Sequence, residues 1–375
     1  MIKYHQMLSI ITEDGLELKL VERDMAEPKP HEIVVQVEAT PINPSDHGVM
    51  FGLADMSKAT HSGDGSDRVL KAPIAPGALA AMKGRLGQDL PVGNEGAGVV
   101  VAAGSDDYSQ SLMGKRVAVM GGGMYGHYRT VPAMNALPLP ERATSRDGAS
   151  CFVNPLTALC FVETMRGEGH TALVHTAAAS NLGQMLNRIC QSDGIDIVNV
   201  VRKDAQVKLL KDMGATYIVN STDDDFQMQL TDAVHATGAT LGFDAIGGGD
   251  MAAKILLAME SAAARTPGAY SVYGSIAHKQ VYSYGKLDYA PIVLNHAYGM
   301  AWGVSGWLLP NFLAKAGMET AVRLRRRVAD ELHTTFASHY TDEISLSQAL
   351  DADIVRRYNA KKTGEKFLIN PTLDL

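Results

Sequence analysis

Cysteine is scarce in this sequence. Three residues in 375, Cys151, Cys160 and Cys190, show no metal-type spacing. A four-cysteine structural zinc lobe is therefore excluded, and Cys151 and Cys160, set in or beside apolar runs, read as small core residues. The usage fits a reducing cytoplasm. Positive charge is also in deficit: 34 Lys and Arg stand against 41 Asp and Glu, for a net charge of −7 and a pI near 5.9. That balance argues against nucleic acid as the main partner. The one basic run, RLRRR at 323–327, fits a solvated helical face. No apolar run reaches the roughly 18 residues of a transmembrane helix, so no membrane partner is expected. The opening MIKYHQMLSIITEDG is broken early by charge, so no signal peptide and a cytoplasmic location are expected.

What is present is ordinary globular composition, 46% hydrophobic and 20% charged, in a chain too long for one core. Two domains are expected, one from residues 1–150 and 331–375 and one from 151–330. The first reads as β-rich. EIVVQVEA (32–39) alternates like a half-buried strand, and EGAGVVVAA (95–103) and RVAVM (116–120) are short apolar strands between turns. Residues 55–88 lack periodicity and read as an inserted surface loop or lid. From residue 150 strands and helices alternate. Strands are predicted at 172–175, 195–201, 217–219, 241–245 and 269–273, with helices between them. Repeated βα units imply a parallel, doubly wound sheet, and the fold class is α/β.

The most informative stretch is TALVHTAAASNLGQMLNRICQSDGIDIVNVVR, 171–202. A strand enters a small-residue loop, a helix follows with Leu182, Leu186 and Ile189 on one face, and a second strand ends in Arg202. That is the β-loop-α-β unit of a dinucleotide-binding half. Small side chains let backbone N–H groups and the helix N-terminus approach a pyrophosphate. Arg202 at the strand end suits a 2′-phosphate, which favours NADPH over NADH. The full G-x-G-x-x-G is missing. Only Gly183 stands where a glycine belongs, and Ala177–Ala179 replace the rest, so an α/β crossover without ligand fits the local pattern too.

Further motifs surround that unit. PINPSD (41–46) follows the strand at 32–39, PVGNEGAG (91–98) follows the insertion, and NPLTA (154–158) precedes the dinucleotide unit. In this order the chain resembles the medium-chain dehydrogenase/reductase superfamily, and within it the zinc-independent quinone oxidoreductases and the enoyl-thioester reductases. The resemblance runs to TGEKFL (363–368). It implies a GroES-like β-barrel domain built from both chain ends, with a Rossmann domain between them and the nicotinamide in the cleft. By position it assigns Ser180, Asn181, Leu182 and Gly183 to the pyrophosphate loop and Arg202 with Lys203 to the 2′-phosphate. Ala245, Ile246, Gly247, Gly274 and Ser275 are assigned to strand ends lining the cofactor, Phe367 and Leu368 to the backbone near the nicotinamide. Thr157 would face the cofactor from a helix start, and Asn43 would line the substrate cleft; these two are the candidate catalytic residues. PINPSD also fits a plain turn, and Arg202 a surface ion pair.

No metal is expected. The superfamily's catalytic zinc needs Cys and His ligands, whereas this chain has no cysteine in Asn43–Ser45 and has Asn94 in the His place. Hydride transfer without a Lewis acid suits quinones or activated double bonds. Enoyl-thioester reductases place a catalytic Tyr where this chain has Ala54, and no Tyr occurs between Pro41 and Asp107. His47, His61 and Tyr125 are the available substitutes. The resulting expectation is an NADPH-dependent, zinc-free reductase of a quinone or α,β-unsaturated carbonyl. Enoyl-thioester reduction and a weakly catalytic NADPH-binding sensor are the rivals. A homodimer is implied, paired through a last Rossmann strand near 301–304.

Overall fold

The computed structural model describes residues 2–265 and 271–375. The chain divides into two compact units, one of Met1–Val153 with Arg325–Leu375 and the other of Asn154–Leu324.

The first unit is built from two sheets. In the larger, Glu32–Pro41 is the hub. It pairs antiparallel with Glu95–Ala103, with Tyr128–Pro132 and with Phe367–Ile369, which brings the chain's last strand back to its third. Alternation explains the hub: Ile33, Val35 and Val37 face one apolar core, with Val100, Val117 and Val119 opposite. In the smaller sheet Lys3–Thr12 and Gly15–Asp24, ten residues each, form a hairpin. Residues 55–88 are not a lid. Val69–Ala72 pairs antiparallel with Gly15–Asp24, and Thr60–Ser62 pairs with it in turn. Met56, Ala59, Leu70, Ala72 and Met82 are buried in the core that also holds Met50, Phe51, Tyr125 and Phe367. The segment extends a sheet and fills a core. Its strands of three and four residues are too short to show a period.

The second unit is a six-stranded parallel sheet. Its order is Tyr217–Asn220, Ile197–Val201, Leu173–Thr176, Leu241–Asp244, Lys279–Ser283, Trp302–Gly306. This is the doubly wound order in which ligands bind at the carboxyl ends of the strands, beside the switch between the first and fourth. The buried runs LVHT, IVNVV and LGFD are mostly apolar because both faces are covered.

The fifth strand departs from expectation. Of the predicted 269–273, residues 269 and 270 lie outside the described residues, and 271–273 run as coil and turn. The strand is Lys279–Ser283, opened by a lysine with no exposed surface. Lys279 Nζ lies 2.6 Å from Glu260 Oε2, on the helix Met251–Ala264, and 2.8 Å from Ser275 Oγ. The basic run at 323–327 is not a uniform solvated face either. Arg325 is half-buried, donates to the Met134 carbonyl and lies over the Phe152 ring.

Candidate active site

In the first unit, the segment 41–46 is tied down by two buried carboxylates. Asp46 accepts from the backbone N–H of Asn43 at 2.7 Å and of Asn94 at 2.9 Å, and Asp46 N–H donates back to the Asn43 carbonyl. Glu95, fully buried, accepts from Asn43 Nδ2 at 2.7 Å through Oε1, and from the N–H groups of Phe152 and Val153 at 2.8 and 2.9 Å through Oε2. Asn43 is thus both a turn residue and the amide of a buried network. Burial pushes the Asp46 carboxyl up to about 7, with the Glu95 charge adding to it and the N–H donors opposing. Burial likewise raises Glu95 against the pull of Lys366. Lys366 is half-buried, its Nζ 2.7 Å from Ser150 Oγ and over the Tyr340 ring. Desolvation lowers its pKa to about 8 against the attraction of both carboxylates. Sequence reasoning missed Glu95, Asp46 and Lys366 as a group. The available signal was a glutamate opening the otherwise apolar strand EGAGVV.

None of the substitute acids is set up as one. Burial pushes His47 down to about 3, where it packs between Phe51 and Tyr358. Tyr125 is buried, donates to the Pro41 carbonyl, and has its hydroxyl pKa raised by that burial. His61 accepts from Ala352 N–H. Phe367 and Leu368 are buried too. The Phe367 ring stands edge-on to Tyr358, and its carbonyl accepts from Ile42 N–H.

In the second unit, the loop between the first strand and its helix is held by packing. Ser180 caps the helix Asn181–Asp193, its Oγ accepting from Gly183 N–H at 3.1 Å. A Cβ on Gly183 would stand 2.2 Å from the Ala178 carbonyl oxygen, so glycine is obligatory there. Ala178 and Ala179 are buried with Val201 and Leu210, their methyls turned into the core. That is why alanine can stand in place of glycine at those two positions. Ala177 takes φ 51, the left-handed turn that a glycine ordinarily provides. Leu182 is buried, Asn181 and Ser180 lie at the helix start, and Thr157 is buried in the helix Val153–Gly167. At the second strand's end Arg202 and Lys203 are exposed, and Arg202 has no ion pair among the described residues. The loop thus sets a capped helix N-terminus beside a strand end that carries two exposed cations.

The fourth strand end is tied by side-chain hydrogen bonds. Thr176 Oγ1 donates to Asp244 Oδ1 at 2.7 Å and accepts from Ala245 N–H, while Ile246 and Gly247 N–H donate to Asp244. Gly274 and Ser275 do not belong with them. They precede the fifth strand at the amino edge of the sheet, the end opposite the carboxyl edge, where Ser275 donates to Glu260 through its N–H and Oγ and Gly274 lies against the same carboxylate. The carboxyl end carries Tyr284 and Gly285 instead, and Gly285 O would stand 2.2 Å from a Cβ on Gly247.

Two family models match the chain: the alcohol dehydrogenase GroES-like domain over residues 29–141 and the zinc-binding dehydrogenase over 182–298. The chain belongs to the medium-chain dehydrogenase/reductase superfamily. It is 31% identical over 168 residues to the synaptic vesicle membrane protein VAT-1 homolog of Rattus norvegicus, covering 44% of this chain and 41% of that one. It is 30% identical over 183 residues to the mitochondrial enoyl-[acyl-carrier-protein] reductase of the same species, covering 45% and 48%. Each match thus spans less than half of the curated relative. A crystal structure described as a candidate NADPH:quinone reductase of Mesorhizobium loti superposes with a TM-score of 0.74 at 24% identity, over 98% of both chains. The fold is accordingly a GroES-like domain joined to a Rossmann domain. Among the described residues of this reductase-superfamily chain, no group of three or more His, Cys, Asp or Glu could hold a metal ion, and no helix is long and apolar enough to cross a membrane.

Proposed function

We propose that this protein is an NADPH-dependent oxidoreductase that reduces a quinone or an α,β-unsaturated carbonyl without zinc. The observation that carries the reading is the close approach of Gly183 to the Ala178 backbone at the loop, together with the exposed Arg202 at the next strand end. NADPH, when bound, supplies a hydride from the nicotinamide. The protein's share is to bind and orient. Ser180, Asn181, Leu182 and Gly183 receive the diphosphate, and Arg202 with Lys203 the 2′-phosphate. In the Rossmann unit Thr157 and the Ala245–Gly247 turn border the nicotinamide; in the GroES-like unit the segment assigned to the cofactor by resemblance is the Phe367–Leu368 backbone. Asn43 lines the acceptor site, its amide oriented by Glu95. Gly274 and Ser275 have no part in it.

Zinc chemistry does not suit the donor set. Asn43 and Asn94 are carboxamides, and each Glu95 oxygen already accepts from N–H donors. Acceptors that need no polarised alcohol follow from this. Quinones rank first, because their reduction needs no dedicated protein acid and Ala54 stands in the tyrosine place. Three buried free cysteines fit a reducing, cytoplasmic setting. The edge strand Trp302–Gly306 is the surface through which a second copy would pair.

The test is oxidation of NADPH by a panel of benzoquinone, naphthoquinone, a short enal and an enoyl thioester, repeated with NADH and followed by the near-ultraviolet absorbance of the reduced nicotinamide. Fast turnover of quinones with NADPH alone is the expected result. Turnover of the thioester alone would make the protein an enoyl-thioester reductase. Tight NADPH binding with no oxidation would make it a binding protein. Size-exclusion chromatography with light scattering checks the dimer.

A further inference from the structure

His175 and Tyr284 form a pair that the reading above leaves unused. His175 is the third residue of Leu173–Thr176 and is fully buried. Its Nε2 lies 2.7 Å from the hydroxyl of Tyr284, which directly follows Lys279–Ser283 two strands away. Phe243, on the strand between them, stacks on Phe161 of the helix Val153–Gly167 with centroids 3.8 Å apart, and Phe161 meets Tyr284 edge-on at 4.7 Å. The helix runs against the strands. Tyr282 reaches Glu168 beyond its far end, while Tyr284, two residues nearer the carboxyl edge, reaches Phe161. Thr157, one turn before Phe161 on the same helix face, lies further toward that edge. Tyr284 therefore stands where the candidate nicotinamide residues of this unit converge.

The direction of the His175–Tyr284 hydrogen bond decides what the phenol can do. His175 Nδ1 is buried and meets no partner. Burial alone pushes the imidazole pKa down to about 3, so the ring is neutral and one nitrogen carries the proton. If Nδ1 carried it, a buried N–H would be orphaned; if Nε2 carries it, the orphan is a lone pair, which is the lesser loss. Nε2–H then donates to Tyr284 Oη, and the phenol's own proton is directed elsewhere. His175 is the hydroxyl's only partner among the described residues, and Tyr284 is partly exposed.

We propose that Tyr284 is a hydroxyl donor, held by His175, for a neutral carbonyl oxygen bound at the carboxyl edge of this sheet. Two ligands carry that chemistry, the carboxamide of the nicotinamide and the carbonyl of the acceptor. The inference rests on the reductase reading, and its tests separate the two.

Nitrogen-resolved NMR of the ligand-free protein reads the His175 tautomer. An Nε2–H imidazole that does not titrate through the neutral range is expected, and an Nδ1–H imidazole overturns the proposal. Tyr284→Phe keeps the ring against Phe161, and its melting temperature reports that the fold is retained. Fluorescence titration with NADPH, without acceptor, is expected to show about threefold to tenfold weaker binding if the donor serves the carboxamide, the loss of one neutral hydrogen bond. Unchanged NADPH affinity with a similar change in kcat/KM for benzoquinone assigns the donor to the acceptor. Parent values in both overturn the proposal. A parent protein that neither binds NADPH nor reduces any acceptor sinks the reductase reading and the donor's ligand with it, whatever the tautomer.

Discussion

The segment 41–46 and the loop 176–183 are both short, turn-rich connections to which ligand contacts are assigned, yet opposite forces hold them. The first hangs on buried carboxylates. Asp46 ties it to itself and to Asn94, and Glu95 ties its Asn43 amide to the backbone of Phe152 and Val153. The second hangs on packing. Its alanine methyls enter the core, and its glycine lies against a backbone carbonyl. A charge-held segment depends on pH and on the number of acceptors. A packing-held loop is indifferent to pH and intolerant of a single methyl.

The harshest way to break the first segment is Glu95→Ala. It strands three N–H donors in the interior, each worth roughly 1–2 kcal/mol, for a loss of about 4 kcal/mol. Urea denaturation measures it. Glu95→Gln should lose less, because one carbonyl oxygen can still serve Phe152 and Val153 while Asn43 turns over. Equal losses for the two would mean that Glu95 acts as a charge and not as an acceptor.

The second prediction concerns pH. An unfolded aspartate titrates near 3.9, whereas burial, with the Glu95 charge adding to it, holds Asp46 at about 7 in the fold. Between those values the folded form keeps a proton that the unfolded chain has lost. The contribution of Asp46 to stability therefore falls as pH rises from roughly 4 to 7 and levels above, by at most about 4 kcal/mol. Asp46→Asn should flatten that slope whatever it does to absolute stability. An unchanged slope in urea midpoints across the window would remove Asp46 as its source.

Gly183→Ala probes the packing-held loop. The added methyl meets backbone that cannot swing away, so a loss of about 1–3 kcal/mol is expected, independent of pH, together with weaker NADPH binding. A pH-dependent loss would erase the distinction between the two segments.

The same contrast governs how much the sequence disclosed. Strands and helices of the Rossmann unit from Leu173 to Ala264 are legible because parallel strands buried on both faces are apolar runs, and GroES-unit strands such as Glu95–Ala103 stand out between turns. The fifth strand is not, since Lys279 at its head makes sense only beside Glu260, nineteen residues earlier and on another element. Glu95 and Asp46 are opaque for a like reason. Their donors come from Asn43, Asn94, Phe152 and Val153, and no local window holds them all. The loop at 176–183 was readable because its requirement, small residues and one glycine, is local. Gly274 and Ser275 misled because they follow the run predicted as a strand at 269–273, whereas the strand, Lys279–Ser283, begins after them.

Arg202→Ala is the mildest perturbation and the sharpest one. The side chain is exposed and bears no ion pair among the described residues, so the fold should lose nothing measurable. If Arg202 meets the 2′-phosphate, NADPH binding weakens by about 1–3 kcal/mol, the scale of a charge-assisted hydrogen bond, and NADH binding stays as it was. The difference between two cofactors that share every other group isolates one contact, which neither the glutamate nor the glycine variant can do. Equal weakening for both would mean that Arg202 acts on the loop and not on the phosphate. Both segments would then serve position alone, and the preference for NADPH would need another residue.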